Sequence, residues 1–104
     1  MAKRICVVGG GVMGEALARG MIDSGLVKRE EVGVSDIDEQ RLAHLRKTLG
    51  VRTFTDNREA VKDADTIIVA VKPDVAGMVL DELRETVTED QLIISIAAGV
   101  TIRY

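Results

Sequence analysis

Short β-branched runs alternate with longer helical periods along this chain. Arg4 to Val8 (RICVV) is a nearly continuous apolar run, the pattern of a strand covered on both faces. Met13, Ala16, Leu17, Gly20 and Met21 follow at the spacing of one amphipathic helical stripe, and Ser24-Gly25 closes that helix. Val32 to Ser35 predicts a second strand. Asp38 to Leu49 predicts a second helix, with Leu42, Leu45 and Leu49 on one face and Gly50 at its C-terminal stop. Val51 to Phe54 reads as a weaker third strand. Asn57 is the expected N-cap of a short helix through Ala64, with Ala60, Val61 and Ala64 inward. Thr66 to Val71 (TIIVAV) is a fourth strand, ended by Pro73, which has no N–H to donate. Val75, Met78, Val79 and Leu83 form the buried stripe of the next helix. Leu92 to Ile96 is the fifth strand and runs into Ala97-Ala98-Gly99.

The order β-α-β-α-β-α-β-α-β predicts an α/β fold, a Rossmann-type doubly wound parallel sheet with helices on both faces. Right-handed crossovers and a reversal after the third strand give five strands in the order 3-2-1-4-5. Periodicity alone also admits 2-1-3-4-5, and the glycine motif described next decides for the first. A length of 104 residues makes residues 1–104 one domain. With 46% hydrophobic and 30% charged residues, the chain is a folded globular one.

Gly9-Gly10-Gly11-Val12-Met13-Gly14 satisfies G-x-G-x-x-G between a predicted strand and a predicted helix, the context that gives the pattern meaning. Gly9 permits the tight turn, Gly11 lets the backbone approach a pyrophosphate, and Gly14 lets the helix pack close to the strand. The helix N-terminus offers free N–H groups to the phosphates. Asp36 follows Gly14 by roughly 20 residues, after Ser35 at the end of the second strand. An acid there accepts hydrogen bonds from the adenosine ribose of NAD and opposes the 2′-phosphate of NADP. Alternatively, Asp36 or Asp38 caps the next helix. Arg41 is close enough in sequence to accommodate a 2′-phosphate, which keeps NADP open. Ala70-Val71-Lys72-Pro73 lies at the carboxyl end of the fourth strand, bordering the crevice where such sheets bind ligands. Lys72 there suits a cofactor phosphate or carboxamide, or a substrate carboxylate, or simply solvent. Ser95 to Gly99 ends the fifth strand with small residues that let a flat nicotinamide lie near the backbone.

Taken together, Gly9-x-Gly11-x-Met13-Gly14-Glu15-Ala16-Leu17, Asp56-Asn57, Ala70-Val71-Lys72-Pro73 and Ser95-Ile96-Ala97-Ala98-Gly99-Val100-Thr101-Ile102 closely resemble pyrroline-5-carboxylate reductase. The resemblance covers the whole chain in order, and its final block is more specific than the glycine loop. It implies hydride transfer from NAD(P)H to 1-pyrroline-5-carboxylate, giving L-proline in proline biosynthesis. By position it implies that Gly9 to Gly14, including Val12 and Met13, hold the pyrophosphate. Asn57 approaches the adenosine side, Ala70 to Pro73 line the cofactor cleft, and Ala97, Ala98 and Gly99 meet the nicotinamide. Family members often use NADPH, whereas Asp36 favours NADH. The family also carries a second, mostly helical domain that forms a homo-oligomer and most of the substrate pocket, and the expectation is that this domain is absent here. Thr101 reads as the N-cap of a helix that does not follow, no sixth strand is expected, and the chain by itself is expected to be an inactive monomer. Two alternatives stay open: another 6-phosphogluconate-dehydrogenase-like oxidoreductase, and a free-standing NAD(P)-binding regulatory module.

Composition removes other classes. Net charge is −3 and only 2% of residues are aromatic, so the phosphate-neutralising stripe and stacking rings of a nucleic-acid binder are both missing. The single cysteine, Cys6, excludes an internal disulfide and fits a reducing, cytoplasmic setting. One His and one Cys cannot supply a usual structural metal site. No apolar run approaches a membrane span, and Ile5 to Val8 is too short for a signal-peptide core. No Ser/His/Asp or Cys/His set exists for nucleophilic catalysis, and no catalytic residue is assigned. Cys6 is read as an inert core thiol, His44 as lying on a solvated helix face, and Met13, Met21 and Met78 as core positions, with Met13 also able to border the cofactor.

Overall fold

The computed structural model describes residues 4–97 and 100–103. The strands are β1 (Ile5–Val8), β2 (Val32–Ser35), β3 (Arg52–Phe54), β4 (Thr66–Val69), β5 (Leu92–Ala97) and β6 (Val100–Arg103). The helices are α1 (Val12–Asp23), α2 (Glu39–Leu49), α3 (Asn57–Val61) and α4 (Pro73–Arg84), with a single 3₁₀ turn at Arg29–Glu31 before β2. The sheet order is β3-β2-β1-β4-β5-β6. The first five strands are parallel, in the expected order 3-2-1-4-5.

Alternation along the buried strands explains the two helical layers. On β1, Ile5 and Val7 pack with Ala18 of α1 and with Leu42, Leu45 and Leu49 of α2. Cys6 and Val8 point the other way, to Ala60 and Val61 of α3 and to Val79 and Leu83 of α4. β4 repeats the division, with Ile68 on the first face and Ile67 and Val69 on the second. Such strands are apolar on both sides because both faces are covered.

Four local expectations are corrected. Residues 100–103 are not the start of a helix capped by Thr101. They form a sixth strand, antiparallel to β5, with Ile96 opposite Thr101 and Ile94 opposite Arg103. Val100, Thr101 and Ile102 are three consecutive β-branched residues, which favour extended backbone. The α1 stripe is displaced by about one residue. Gly14 and Ala18 are its buried positions, Leu17 and Met21 pack beside them, and Met13 and Ala16 face outward. On α4, Ala76 joins Val79 and Leu83 in the buried stripe, while Met78 is 68% exposed. α3 is capped by Asp56, whose side chain accepts from the Arg58 N–H at 2.9 Å, and not by Asn57. A carboxylate one residue earlier reaches the N2 amide, which leaves the Asn57 side chain free for another contact.

Asp38 caps α2 by accepting from the Gln40 and Arg41 amides, and Gly50 ends it in the left-handed conformation (φ 71°). Among the described residues, no helix is long and apolar enough to cross a membrane.

Candidate functional site

The carboxyl ends of β1, β2 and β4 open into one cleft of about 600 Å³. Val8, Gly9, Gly11, Ser35, Asp36, Ile37, Asp38, Asn57, Ala70, Val71, Lys72, Val75 and Val79 line it. The sheet order makes this convergence necessary. β1 lies between β2 and β4, so the β1–α1 loop stands between the β2–α2 loop and the β4–α4 loop. Asp36 and Asp38 lie on the β2 side of the glycine loop, and exposed Lys72 on the β4 side.

The three motif glycines have distinct reasons. Gly9 has φ +111°, where a side chain is strained, and an added Cβ would stand 2.6 Å from the Ala70 carbonyl oxygen. A Cβ on Gly14 would stand 1.8 Å from the Gly9 carbonyl oxygen, so α1 rests directly on the turn. Gly11 differs from both. It is the N-cap of α1 at φ −73°, and a Cβ there would meet nothing within 4 Å. No protein atom requires glycine at this position, which instead faces the cleft. No side chain caps the first turn of α1, leaving its amides available.

Asp36 holds the loop. Its Oδ2 accepts from the Gly10 N–H at 2.8 Å, and its Oδ1 accepts from the Asp38 N–H at 2.9 Å. The Gly9 N–H donates to the Ser35 carbonyl at 2.8 Å. Gly10, a variable position in the motif, is confined as well: a Cβ would lie 3.0 Å from Leu45 Cδ1 and 3.2 Å from Asp36 Oδ2. Ser35 is fully buried and its hydroxyl donates to Asn57 Oδ1 at 2.6 Å, fixing the start of α3 against β2.

Behind the loop stands a charged cluster that sequence reasoning missed. Arg41 Nε donates to the Gly10 carbonyl, and Arg41 Nη2 bonds to Glu15 Oε1. Glu15 also accepts from Arg19 Nη2 at 3.0 Å and lies 3.4 Å from His44 Nε2. The Arg19 and Arg41 guanidiniums, with His44, hold the Glu15 carboxyl below the usual range, against a partial desolvation that raises it. Arg41 is therefore committed to the loop and does not line the cleft. The two partners are 26 residues apart in sequence, and no local motif signals the pair.

Other expected site residues fall around the cleft. Val12 and Met13 open α1 with exposed side chains (85% and 39%). Gly14 is buried under the helix, and Pro73 is the first residue of α4. None of these four is on the cleft wall. Ala97 ends β5, while Ala98 and Gly99 lie outside the described residues. Ile37, 93% exposed at the rim, and the α4 residues Val75 and Val79 are additions that no motif indicated. Cys6 is buried, and burial pushes its thiol up to about 12 despite Arg52, as an inert core position requires. His44 is 45% exposed and turned toward Glu15.

A parallel sheet in this order, with its glycine loop between β1 and α1 and an acid closing β2, places the chain in the Rossmann class of dinucleotide-binding folds. Residues 4–99 match the family described as NADP oxidoreductase, coenzyme F420-dependent. The chain belongs to that family. Among similar proteins, the pyrroline-5-carboxylate reductase of Methanosarcina acetivorans is 44% identical over 98 residues, covering 94% of this chain and 36% of the relative. The Escherichia coli pyrroline-5-carboxylate reductase is 36% identical over 102 residues, covering 98% of this chain and 38% of the relative. A solved pyrroline-5-carboxylate reductase from Coxiella burnetii superposes with a TM-score of 0.88 at 32% identity, covering 95% of this chain and 37% of that one. The Plasmodium falciparum pyrroline carboxylate reductase, solved with NADP bound, gives 0.78 at 30% identity, over 94% of this chain and 34% of that one. The chain thus spans little more than a third of the length of the curated relatives it matches.

Proposed function

We propose that this chain is the cofactor-binding domain of a pyrroline-5-carboxylate reductase. The observation that carries the reading is the 44% identity to the Methanosarcina acetivorans reductase across 94% of this chain, a span that contains the whole cleft. The residues present suit a dinucleotide. Gly11 leaves open space where a side chain would stand, and the uncapped first turn of α1 presents amides to a pyrophosphate. Gly9 and Gly11, with Val12, Met13 and Gly14 behind them, form that cradle. Ser35 and Asp36 take the ribose side, and Asn57 the adenosine side. Ala70, Val71, Lys72 and Pro73 border the nicotinamide half, and Ala97, Ala98 and Gly99 are assigned to the nicotinamide by the family resemblance alone. When bound, a reduced nicotinamide supplies the hydride that turns 1-pyrroline-5-carboxylate into L-proline.

NADH is the favoured cofactor in this reading. The Asp36 carboxylate is fixed by two backbone amides beside a second acid, Asp38, and this acidic end opposes a 2′-phosphate. Residues 1–104 form one cofactor domain. The substrate pocket and the contacts of a homo-oligomer belong to the part of the relatives' length that this chain does not span. A cytoplasmic setting goes with a lone, buried thiol.

Calorimetric titration of the chain with NADH and NADPH tests the cofactor step, and tighter NADH binding is expected. NADH-dependent proline formation by the full open reading frame tests the reaction. Binding without proline formation would move the reading to another oxidoreductase of the family. Failure to bind either cofactor would end it.

A further inference from the structure

Both backbone polar groups of Gly10 are held by side chains from outside its own loop. Its N–H donates to Asp36 Oδ2 at 2.8 Å, and its carbonyl accepts from Arg41 Nε. Arg41 in turn bonds Glu15, whose own N–H donates to the Gly11 carbonyl at 2.9 Å. A closed circuit therefore runs from the loop to α2, across to the first turn of α1, and back to the loop. A glycine-rich segment has many backbone conformations open to it, and fixing one of them costs entropy. Charge-assisted bonds from a fixed guanidinium and a fixed carboxylate remove that freedom before any ligand arrives.

From this geometry we infer that Arg41 is a positioning residue for dinucleotide binding: through the Gly10 carbonyl it locks the glycine loop in the shape that presents its amides to a pyrophosphate. The inference rests on the dinucleotide reading above and deepens it. Arg41 does not act as a phosphate contact. Its charge is matched by Glu15, and its side chain lies off the cleft wall, 26% exposed. Its effect must then be the same for every ligand that carries the pyrophosphate, whether or not a 2′-phosphate is present.

The experiment compares the full chain with Arg41→Gln and Arg41→Lys, titrated with NADH, NADPH and ADP-ribose. Thermal midpoints and amide exchange at Gly10 are measured alongside without ligand. Arg41→Gln is expected to weaken all three ligands by the same factor, about tenfold, the size of one charge-assisted bond. Gly10 exchange is expected to accelerate while the thermal midpoint moves by only a few degrees. Arg41→Lys keeps the charge but cannot make both bonds, so it is expected to behave as Arg41→Gln does. Loss confined to NADPH would overturn the inference, because it would make Arg41 a direct contact of the 2′-phosphate. Unchanged affinity, or full rescue by lysine, would overturn it as well. If the unaltered chain binds none of the three ligands, the dinucleotide reading fails, and Gly10 exchange alone then decides whether Arg41 holds the loop. Should Arg41→Gln not fold, Glu15→Ala removes the guanidinium's orienting partner, and the same equal weakening or its absence gives the answer.

Discussion

Substituting Gly14 by alanine sets the closest approach found at any described glycine against a favourable helix propensity. The new Cβ would lie 1.8 Å from the Gly9 carbonyl oxygen and 3.4 Å from Val7 Cγ1, where ordinary contact begins near 3.4 Å. One side must therefore retreat by roughly 1.5 Å to restore normal packing. Gly9 has little room to do so. It sits at φ +111°, its N–H is bonded to the Ser35 carbonyl at 2.8 Å, and the Ala70 carbonyl oxygen stands 2.6 Å from where its Cβ would be. Overpacking against rigid backbone costs about 3 kcal/mol or more, offset by about 1 kcal/mol from alanine's higher helix propensity. A net loss of about 2–3 kcal/mol lowers the melting temperature of a domain this size by about 10–20 °C. Gly11→Ala is the control. Its Cβ meets nothing within 4 Å, and its φ of −73° suits any residue, so stability is expected to change by no more than about 1 kcal/mol. Circular-dichroism melts measure the first effect. Titration with NADH measures the second, since the Gly11 methyl would stand in the cleft. A Gly14→Ala midpoint within about 3 °C of the unaltered chain would refute the packing argument. Equal destabilisation by Gly11→Ala would refute the assignment of separate roles.

Three further outcomes follow from single residues. Asp36→Asn removes a charge that repels a 2′-phosphate with about 1–4 kcal/mol at a few ångströms, so the NADPH-to-NADH affinity ratio should rise at least about fivefold in paired titrations, and an unchanged ratio would exclude Asp36 as the discriminator. Cys6 stays protonated in the folded chain until about pH 12, while the unfolded thiol ionises from about pH 9; its raised pKa therefore contributes stability below pH 9 that is lost on going up to pH 12, at about 1.4 kcal/mol per pH unit, and Cys6→Ala should show a correspondingly flatter decline in denaturant titrations over that window. Asp38→Ala removes the side-chain acceptor of the Gln40 and Arg41 amides and should cost about 1 kcal/mol, or about 4–8 °C of melting temperature, and no shift at all would mean that solvent replaces the cap without penalty.

Periodicity located β1 and β4 because they are buried on both faces, and runs such as Ile5–Val8 and Thr66–Val69 have few other homes. It misplaced the inner face of α1 for a physical reason. The stripe through Met13 and Ala16 follows side-chain hydrophobicity, but the helix docks on its smallest residues, Gly14 and Ala18. Close approach to the Gly9 turn selects them, and the larger Met13 is turned outward as a consequence. The glycines of the motif were legible because their constraint is local. Gly10 and Arg41 were not, since what confines them comes from Leu45, Asp36 and Glu15, brought together only when α1 and α2 pack on the same side of the sheet. The sixth strand was lost to a reading of Thr101 as a cap, a polar cue that proved weaker than three β-branched residues beside an open sheet edge.

Asp36 shows why the sequence offered a false choice. Cap and ligand group were set against each other as alternatives, yet the structure gives the cap to Asp38 and a loop-holding task to Asp36. Asp38 caps α2, and Asp36 pins the loop through Oδ2 and the β2–α2 turn through Oδ1. A carboxylate has about four lone-pair sites, so two backbone amides leave roughly two free to accept ribose hydroxyls. The same two amides fix the direction in which those sites point, and that fixed direction is what a discriminating contact needs. On the proposed dinucleotide reading, the structural role is therefore a precondition of the binding role. On the proposed reading, an acid at this position would select a cofactor because the glycine loop holds it still, while the acid and Arg41 hold the loop from opposite ends.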